Sequence, residues 1–220
     1  MRIAILFMLC IILVSCKKED TQSPVLELLG SDTVVQWLPS TAGSGYYFDA
    51  GVTARDNEDG NITANVLVEN LVNPNRKGTY TVTYTVQDEA GNPASIQRIV
   101  QIINSAESFA GTYLNCADTC TASTLAYQTT IASSDTVNRL VWISNFSNAG
   151  NNIRIRATLS DTNVTVPLNQ YLDLSMTKYI NTIFSPQTDI LSAVPPTKFR
   201  IKYSWTDGTN ADTCTSWLQR

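Results

Sequence analysis

The chain contains no histidine. That absence removes Ser-His-Asp and Cys-His catalytic arrangements, the commonest general base and the His-rich metal hydrolases. Gly-rich phosphate loops of either common spacing are also missing, so nucleotide-driven chemistry has no cradle for its phosphates. Charged residues make up only 15% of the sequence, and no long segment repeats apolar residues at i, i+3 and i+4, which argues against amphipathic helices. The longest apolar run, Ile3 to Val14, falls short of the roughly 20 residues a membrane-spanning helix needs. A glycosidase requires only two carboxylates. Carboxylates are present, but no spacing singles out a pair, and the chain is expected not to be an enzyme.

What is present begins at the N-terminus. Met1-Arg2 carries one positive charge, the apolar run follows, and Ser15-Cys16 ends it ahead of Lys17-Lys18-Glu19-Asp20. This is a signal-peptide profile. Leu13-Val14-Ser15-Cys16 resembles the lipobox of bacterial lipoproteins. The resemblance implies that residues 1–15 are removed, that Cys16 is acylated on its sulfur and on its new amino group, and that residues 16–23 are a lipidated tether. Several acyl chains hold a membrane far more firmly than one. Lys17-Lys18-Glu19-Asp20 resembles the charged export tag that sends lipoproteins of some glycan-scavenging Gram-negative bacteria to the outer face of the outer membrane. That resemblance implies outer-membrane lipid as a partner and an exterior address, whereas a solvated tether is the plainer reading of four charges.

Removal of residues 1–15 takes away Arg2 and no acid, which leaves 14 basic against 19 acidic residues. Such a surface repels phosphate backbones, so nucleic acid is not an expected partner. Thr, Ser, Asn and Val are abundant, a β-rich composition. The remaining length suffices for two domains, expected at residues 24–104 and 105–220 with the boundary at Asn104 to Ser108. The clearest strand is Thr79 to Val86, where Tyr80, Val82, Tyr84 and Val86 share one face and the threonines the other. Asp88-Glu89-Ala90-Gly91-Asn92-Pro93 closes it as a turn, and Ile96 to Ile103 is placed to pair back as a hairpin.

Asp56-Asn57-Glu58-Asp59-Gly60-Asn61-Ile62-Thr63, Gly78 to Val86, and Asp88 with Ala90-Gly91-Asn92 occur in that order. Together they resemble the bacterial immunoglobulin-like module repeated in insecticidal crystal proteins and surface adhesins. The resemblance implies a seven-strand β-sandwich that acts as a spacer or presenting module and brings no catalytic residues. Asp56, Glu58 and Asp59, with Asp88, form a candidate calcium site, because hard cations take clustered carboxylate oxygens. An EF-hand is excluded, since Gly60 falls at loop position 5 and Leu67 at position 12. The plainer reading is a polar turn in which Asp and Asn bond their own backbone and Gly60 takes a positive φ.

Beyond residue 105 the candidate strands are Leu125 to Ala132, Arg139 to Phe146, Ile153 to Leu159, Val164 to Val166, Lys178 to Phe184, Lys198 to Thr206 and Ala211 to Leu218. In Lys198 to Thr206 the side chains of Phe199, Ile201, Tyr203 and Trp205 define the core face. Gly111-Thr112-Tyr113, Ile143 to Phe146, Asn163 to Pro167 and Asp212 to Thr215 resemble a C-terminal β-domain that often follows such an Ig-like module in surface lipoproteins, a family without assigned activity. Leu168 to Pro196 fits it poorly. Cys120 and Cys214 sit in twin tetrads, Asp118-Thr119-Cys120-Thr121 and Asp212-Thr213-Cys214-Thr215. This symmetry predicts first and last strands side by side, joined by a Cys120–Cys214 disulfide in an oxidising exterior, with Cys116 left over. Three cysteines without histidine make an incomplete zinc set.

The expected fold is all-β: an immunoglobulin-like β-sandwich followed by a second antiparallel β-meander sandwich or barrel. The expected function is a lipid-anchored surface protein that captures extracellular glycan, with the Ig-like domain as spacer. A structural or adhesive component that binds envelope proteins is the alternative. Trp37, Tyr46 and Tyr47 flank the small-residue loop Pro39 to Gly45 and are the candidate sugar contacts, since flat aromatic faces suit the C–H faces of sugars. Inward packing of Trp37 with Tyr47 is the competing reading, and Trp142, Trp205 and Trp217 fall in strand patterns and read as core. Asp32-Thr33-Val34 and Asp135-Thr136-Val137 resemble the acceptor for periplasmic O-glycosylation, which implies sugar on Thr33 and Thr136. As plain strand starts, the same triplets need no sugar.

Overall fold

The structure, a computed structural model, describes residues 19–160, 163–184 and 198–220 and the backbone of 189–190. Cys16 and the apolar run lie outside the described residues. The class is all-β. In chain order the strands are β1 (Val25–Leu28), β2 (Thr33–Trp37), β3 (Val52–Asp56), β4 (Gly60–Asn61), β5 (Leu67–Asn70), β6 (Gly78–Gln87) and β7 (Pro93–Ile103). They continue as β8 (Gly111–Cys120), β9 (Thr124–Ser133), β10 (Leu140–Ser144), β11 (Arg154–Leu159), β12 (Val164–Thr165), β13 (Tyr179–Ile183), β14 (Asp189–Ile190), β15 (Lys198–Thr206) and β16 (Ala211–Gln219). Three single turns of 3-10 helix are the only helical elements among the described residues, and none is long and apolar enough to cross a membrane.

Packing divides the chain into two compact units. The first comprises residues 19–30, 50–69 and 83–96. In it β1 pairs antiparallel with β3, and β3 with β4. Ala54 of β3, Ile62 and Val86 of β6 are buried together, with Leu26, Val66 and Ala94 packed against them. Side chains from β1 and β3 therefore meet side chains from β6 and β7, which is how two sheets bury one core between them. Across the hairpin turn the Asp88 carboxylate accepts from the Asn92 N–H, and Gly91 takes φ +93°.

The second unit comprises residues 31–49, 70–82 and 97–220. Within it β2 is an edge strand that runs parallel to β7, with Thr33 to Trp37 opposite Ile99 to Ile103. The expected alternation of β6 is realised, with Val82, Tyr84 and Val86 buried between half-exposed or exposed threonines. The nine-stranded sheet is an antiparallel half-barrel in the order β12-β11-β10-β9-β8-β16-β15-β13, with β14 also on β15. Its first and last strands are neighbours: β8 pairs with β16 so that Cys120 faces Cys214, and a disulfide joins them. Phe199, Ile201 and Tyr203 point inward from β15, and Tyr113 and Phe109 lie against the Phe199 ring at centroid distances of 5.4 and 5.5 Å. Each such side chain contributes on the order of 1.5–3 kcal/mol through burial.

Sequence pattern missed β8, for two physical reasons. A register shift between Tyr113 and Cys116 breaks the period of two, so these inward residues are three apart. The next inward position is Asp118, only 1% exposed. Tyr203 Oη donates to Asp118 Oδ2 at 2.6 Å and Tyr127 Oη to Asp118 Oδ1 at 3.2 Å. Tyr203 Oη also reaches Ser147 Oγ at 2.8 Å, and Tyr127 Oη bonds Ser216 Oγ. A carboxylate inside the core is tolerable because phenols satisfy both of its oxygens.

Candidate functional site: an exposed aromatic surface beside an edge strand

Three large aromatic side chains stand in solvent within twelve residues of one another. Trp37 is 54% exposed, Tyr46 75% and Phe48 76%. Trp37 ends the edge strand β2, whose outward residues are Thr33, Val35 and Trp37. The segment after Gly45 alternates in the same way, with Tyr46 and Phe48 outward and Tyr47 and Asp49 half-buried.

Side-chain bonds hold the two segments together. Gln36 Nε2 donates to the Tyr46 carbonyl at 2.8 Å, and the Gly45 N–H donates to Asn75 Oδ1 at 2.6 Å. A Cβ on Gly45 would lie 2.5 Å from the Pro74 carbonyl oxygen, so glycine permits this approach. The small-residue loop is folded on itself, with Ser44 Oγ bonded to the Thr41 carbonyl at 2.8 Å.

Tyr47 does different work from its neighbour. Its hydroxyl donates to Asp49 Oδ1 at 3.0 Å, and Asp49 forms an ion pair with Arg98. Burial and the adjacent Asp49 carboxylate push the Tyr47 phenol above its ordinary pKa. Of the sequence-predicted trio, Trp37 and Tyr46 are open to a ligand, and Tyr47 faces a structural ion pair. Phe48 was missed; the signal for it was its position two residues after Tyr46 on a segment of alternating exposure.

The acidic candidates also separate. Asp56 and Asp88 are buried and come together with Asp20, one carboxylate oxygen of each within 4.8 Å of one from each of the others. Glu58 is exposed, and Asp59 Oδ2 instead accepts the Glu89 N–H at 2.7 Å. Cys120 and Cys214 lie near Asp212, but their sulfurs are consumed by the disulfide. Cys116 is free and buried. Trp142, Trp205 and Trp217 are half-buried, and Trp217 is flanked by cations, with Lys198 Nζ 4.9 Å from its ring centroid. A groove of about 710 Å³ beside Val164, Val166 and Asn181 is lined by no aromatic or charged side chain among the described residues.

No curated protein matches the chain. Among solved structures it is similar to the lipoprotein BT2262 of Bacteroides thetaiotaomicron, at 20% identity over 89% of this chain and 100% of that one, with a TM-score of 0.36. It is also similar to a structure of CBM51-2 in complex with GlcNAc and INT domains from Clostridium perfringens ZmpB, at 15% identity over 89% of this chain and 43% of that one, with a TM-score of 0.29. A structure of the M60 catalytic domain of the same ZmpB with CBM51-1 and CBM51-2 is similar at 14% identity over 90% of this chain and 21% of that one, with a TM-score of 0.30. Residues 40–102 match the family model of the bacterial surface protein Ig-like domain.

Proposed function

We propose that this bacterial surface protein is anchored to the outer membrane by lipid on Cys16 and captures extracellular glycan on the surface formed by Trp37, Tyr46 and Phe48. The observation that carries the reading is the exposure of these three rings, each more than half open to solvent. Apolar side chains of this size are ordinarily drawn into a core, and an aromatic group left outside is available for a ligand. Aromatic faces offer large contact area with few rotatable bonds, and sugars present matching C–H faces. The Gln36 and Asn75 amides are engaged with the backbone at Tyr46 and Gly45 and hold the aromatic segment in place. The site begins three residues before the family match and continues into it, so the Ig-like segment presents the ligand surface itself. The lipid anchor rests on Leu13-Val14-Ser15-Cys16 at the end of the apolar run.

The test is a glycan panel screened with the mature chain, followed by the same screen on Trp37→Ala and Tyr46→Ala with melting temperatures recorded alongside. Glycan binding that both variants lose at unchanged melting temperature supports the site. A panel without a ligand, or binding that both variants keep, overturns it.

A further inference from the structure

We infer that Asp20, Asp56 and Asp88 form a site for a hard divalent cation, calcium, that fastens the start of the folded chain to two loops of the first unit. One carboxylate oxygen from each lies within 4.8 Å of one from each of the others. One calcium ion with oxygen ligands at about 2.3–2.6 Å bridges such a set, and water completes its shell. All three donors are carboxylates, the chemistry of calcium rather than of zinc or copper.

A second observation points to a ligand independently of the clustering. Asp56 is 9% exposed, and its Oδ2 is buried with no hydrogen-bond partner among the described residues. Its Oδ1 already accepts the Glu58 and Asp59 N–H groups at 2.9 and 3.0 Å. A buried carboxylate oxygen without a partner is costly, and such an atom calls for an ion or a donor. No lysine or arginine forms a salt bridge with Asp20, Asp56 or Asp88 among the described residues.

The surrounding bonds prepare the site. Asn92 Nδ2 donates both to Asp88 Oδ2 at 2.7 Å and to the Asp20 carbonyl at 3.1 Å, which holds Asp20 beside Asp88. Asp56 sits at the β3–β4 turn and Asp88 at the β6–β7 turn, so the cation joins both turns to a residue four positions after Cys16. Sequence reading found Asp56 and Asp88 but placed Glu58 and Asp59 with them. Asp20 was hidden because it belongs to the charged stretch after Cys16, where a solvated tether explains every residue. Glycan capture does not depend on this site, so either reading can fail alone.

The experiment is a calcium titration of the full-length protein, purified in detergent and stripped with a chelator. Calorimetry gives stoichiometry and affinity, and hydrogen exchange follows residues 19–24. One calcium per chain is expected, with a dissociation constant of about 10⁻⁴ to 10⁻³ M, the range of extracellular modules, together with slower exchange at residues 19–24. Asp56→Asn and Asp20→Asn should each weaken binding at least about tenfold. Asp20→Asn keeps the test open if Asp56→Asn does not fold, because Asp20 lies outside every strand. No calcium-dependent heat up to about 10 mM, about ten times the weakest expected dissociation constant, or a site that Asp20→Asn leaves unchanged, overturns the inference.

Discussion

Arg98 and Asp49 form an ion pair in which the arginine side chain is only 1% exposed. Arg98 Nε also donates to the Ser31 carbonyl at 2.9 Å, so the guanidinium ties the start of β2 and the end of the aromatic segment to the inward face of β7. Removal of one partner strands the other charge, and broken buried pairs typically cost about 3–5 kcal/mol. Asp49→Ala should lose stability of that order in urea or guanidinium titrations. A loss below about 1 kcal/mol would show that water reaches the guanidinium.

The two adjacent tyrosines should part company. Tyr46→Ala is expected to change the melting temperature little and to weaken glycan binding about tenfold or more, as for a contact worth over 1 kcal/mol. Tyr47→Phe deletes the bond to Asp49 and should cost about 1 kcal/mol of stability with binding intact. Parallel isotherms and melts distinguish the two patterns, and a destabilised Tyr46→Ala would mean its ring is packing.

Alkaline pH should unfold the second unit. Burial pushes the Tyr113 phenol up to about 12, and burial together with Asp118 raises Tyr127 and Tyr203 as well. A raised folded-state pKa means that the unfolded chain releases its proton first. The stability these phenols provide is therefore complete below about pH 10 and lost as pH rises from there toward the folded values. Each contributes a slope of about 1.4 kcal/mol per pH unit within that window. Denaturant midpoints between pH 9 and 12 measure it, and Tyr203→Phe should reduce the slope. A midpoint flat across that range would contradict the burial.

The cysteines offer a chemical check. The Cys120–Cys214 bridge closes a 94-residue separation, worth about 4–5 kcal/mol in the chain-entropy model. Reduction should lower the melting temperature clearly. Cys116, 3% exposed and with its thiol pKa raised by burial, should resist alkylation until denaturant is added. Peptide maps that place Cys116 in the bridge would refute this arrangement.

The anchor has its own assay. Cys16→Ala should abolish lipid labelling and leave an unprocessed precursor, whereas labelling unchanged in that variant would remove the lipoprotein reading.

Legibility in the sequence followed side-chain alternation. β6 and β15 could be read because every second residue is apolar and points inward, and the β15–β16 hairpin because Asp207 and Gly208 make its turn, with Gly208 at φ +90°. The twin tetrads carried register as well as pairing, since Thr119 faces Thr215 as Cys120 faces Cys214. Hidden features were those in which a polar residue takes an inward position. Arg98 occupies the core face of β7 in line with Val100 and Ile102, and partners distant in the chain, Asp49 and the Ser31 carbonyl among them, make that tolerable. Asp118 depends in the same way on Tyr203, 85 residues along the chain, together with Tyr127 of the next strand. The parallel pairing of β2 with β7 has no local signature, because nothing in Thr33 to Trp37 records the direction of its neighbour.

The adjacency of β8 and β16 also governs the order in which the chain can mature. β16 supplies the partner for an interior strand of the half-barrel, yet it follows β8 by more than ninety residues. A polypeptide that emerges N-terminus first can zip β8 to β12 as consecutive hairpins, but the free side of β8 stays unpaired until β16 arrives. Contacts this distant slow folding, and an open strand edge invites pairing with other chains meanwhile. The vulnerable species is thus a half-assembled sheet with its seam open, and sealing of that seam by Cys120 and Cys214 is the step after which reopening becomes difficult.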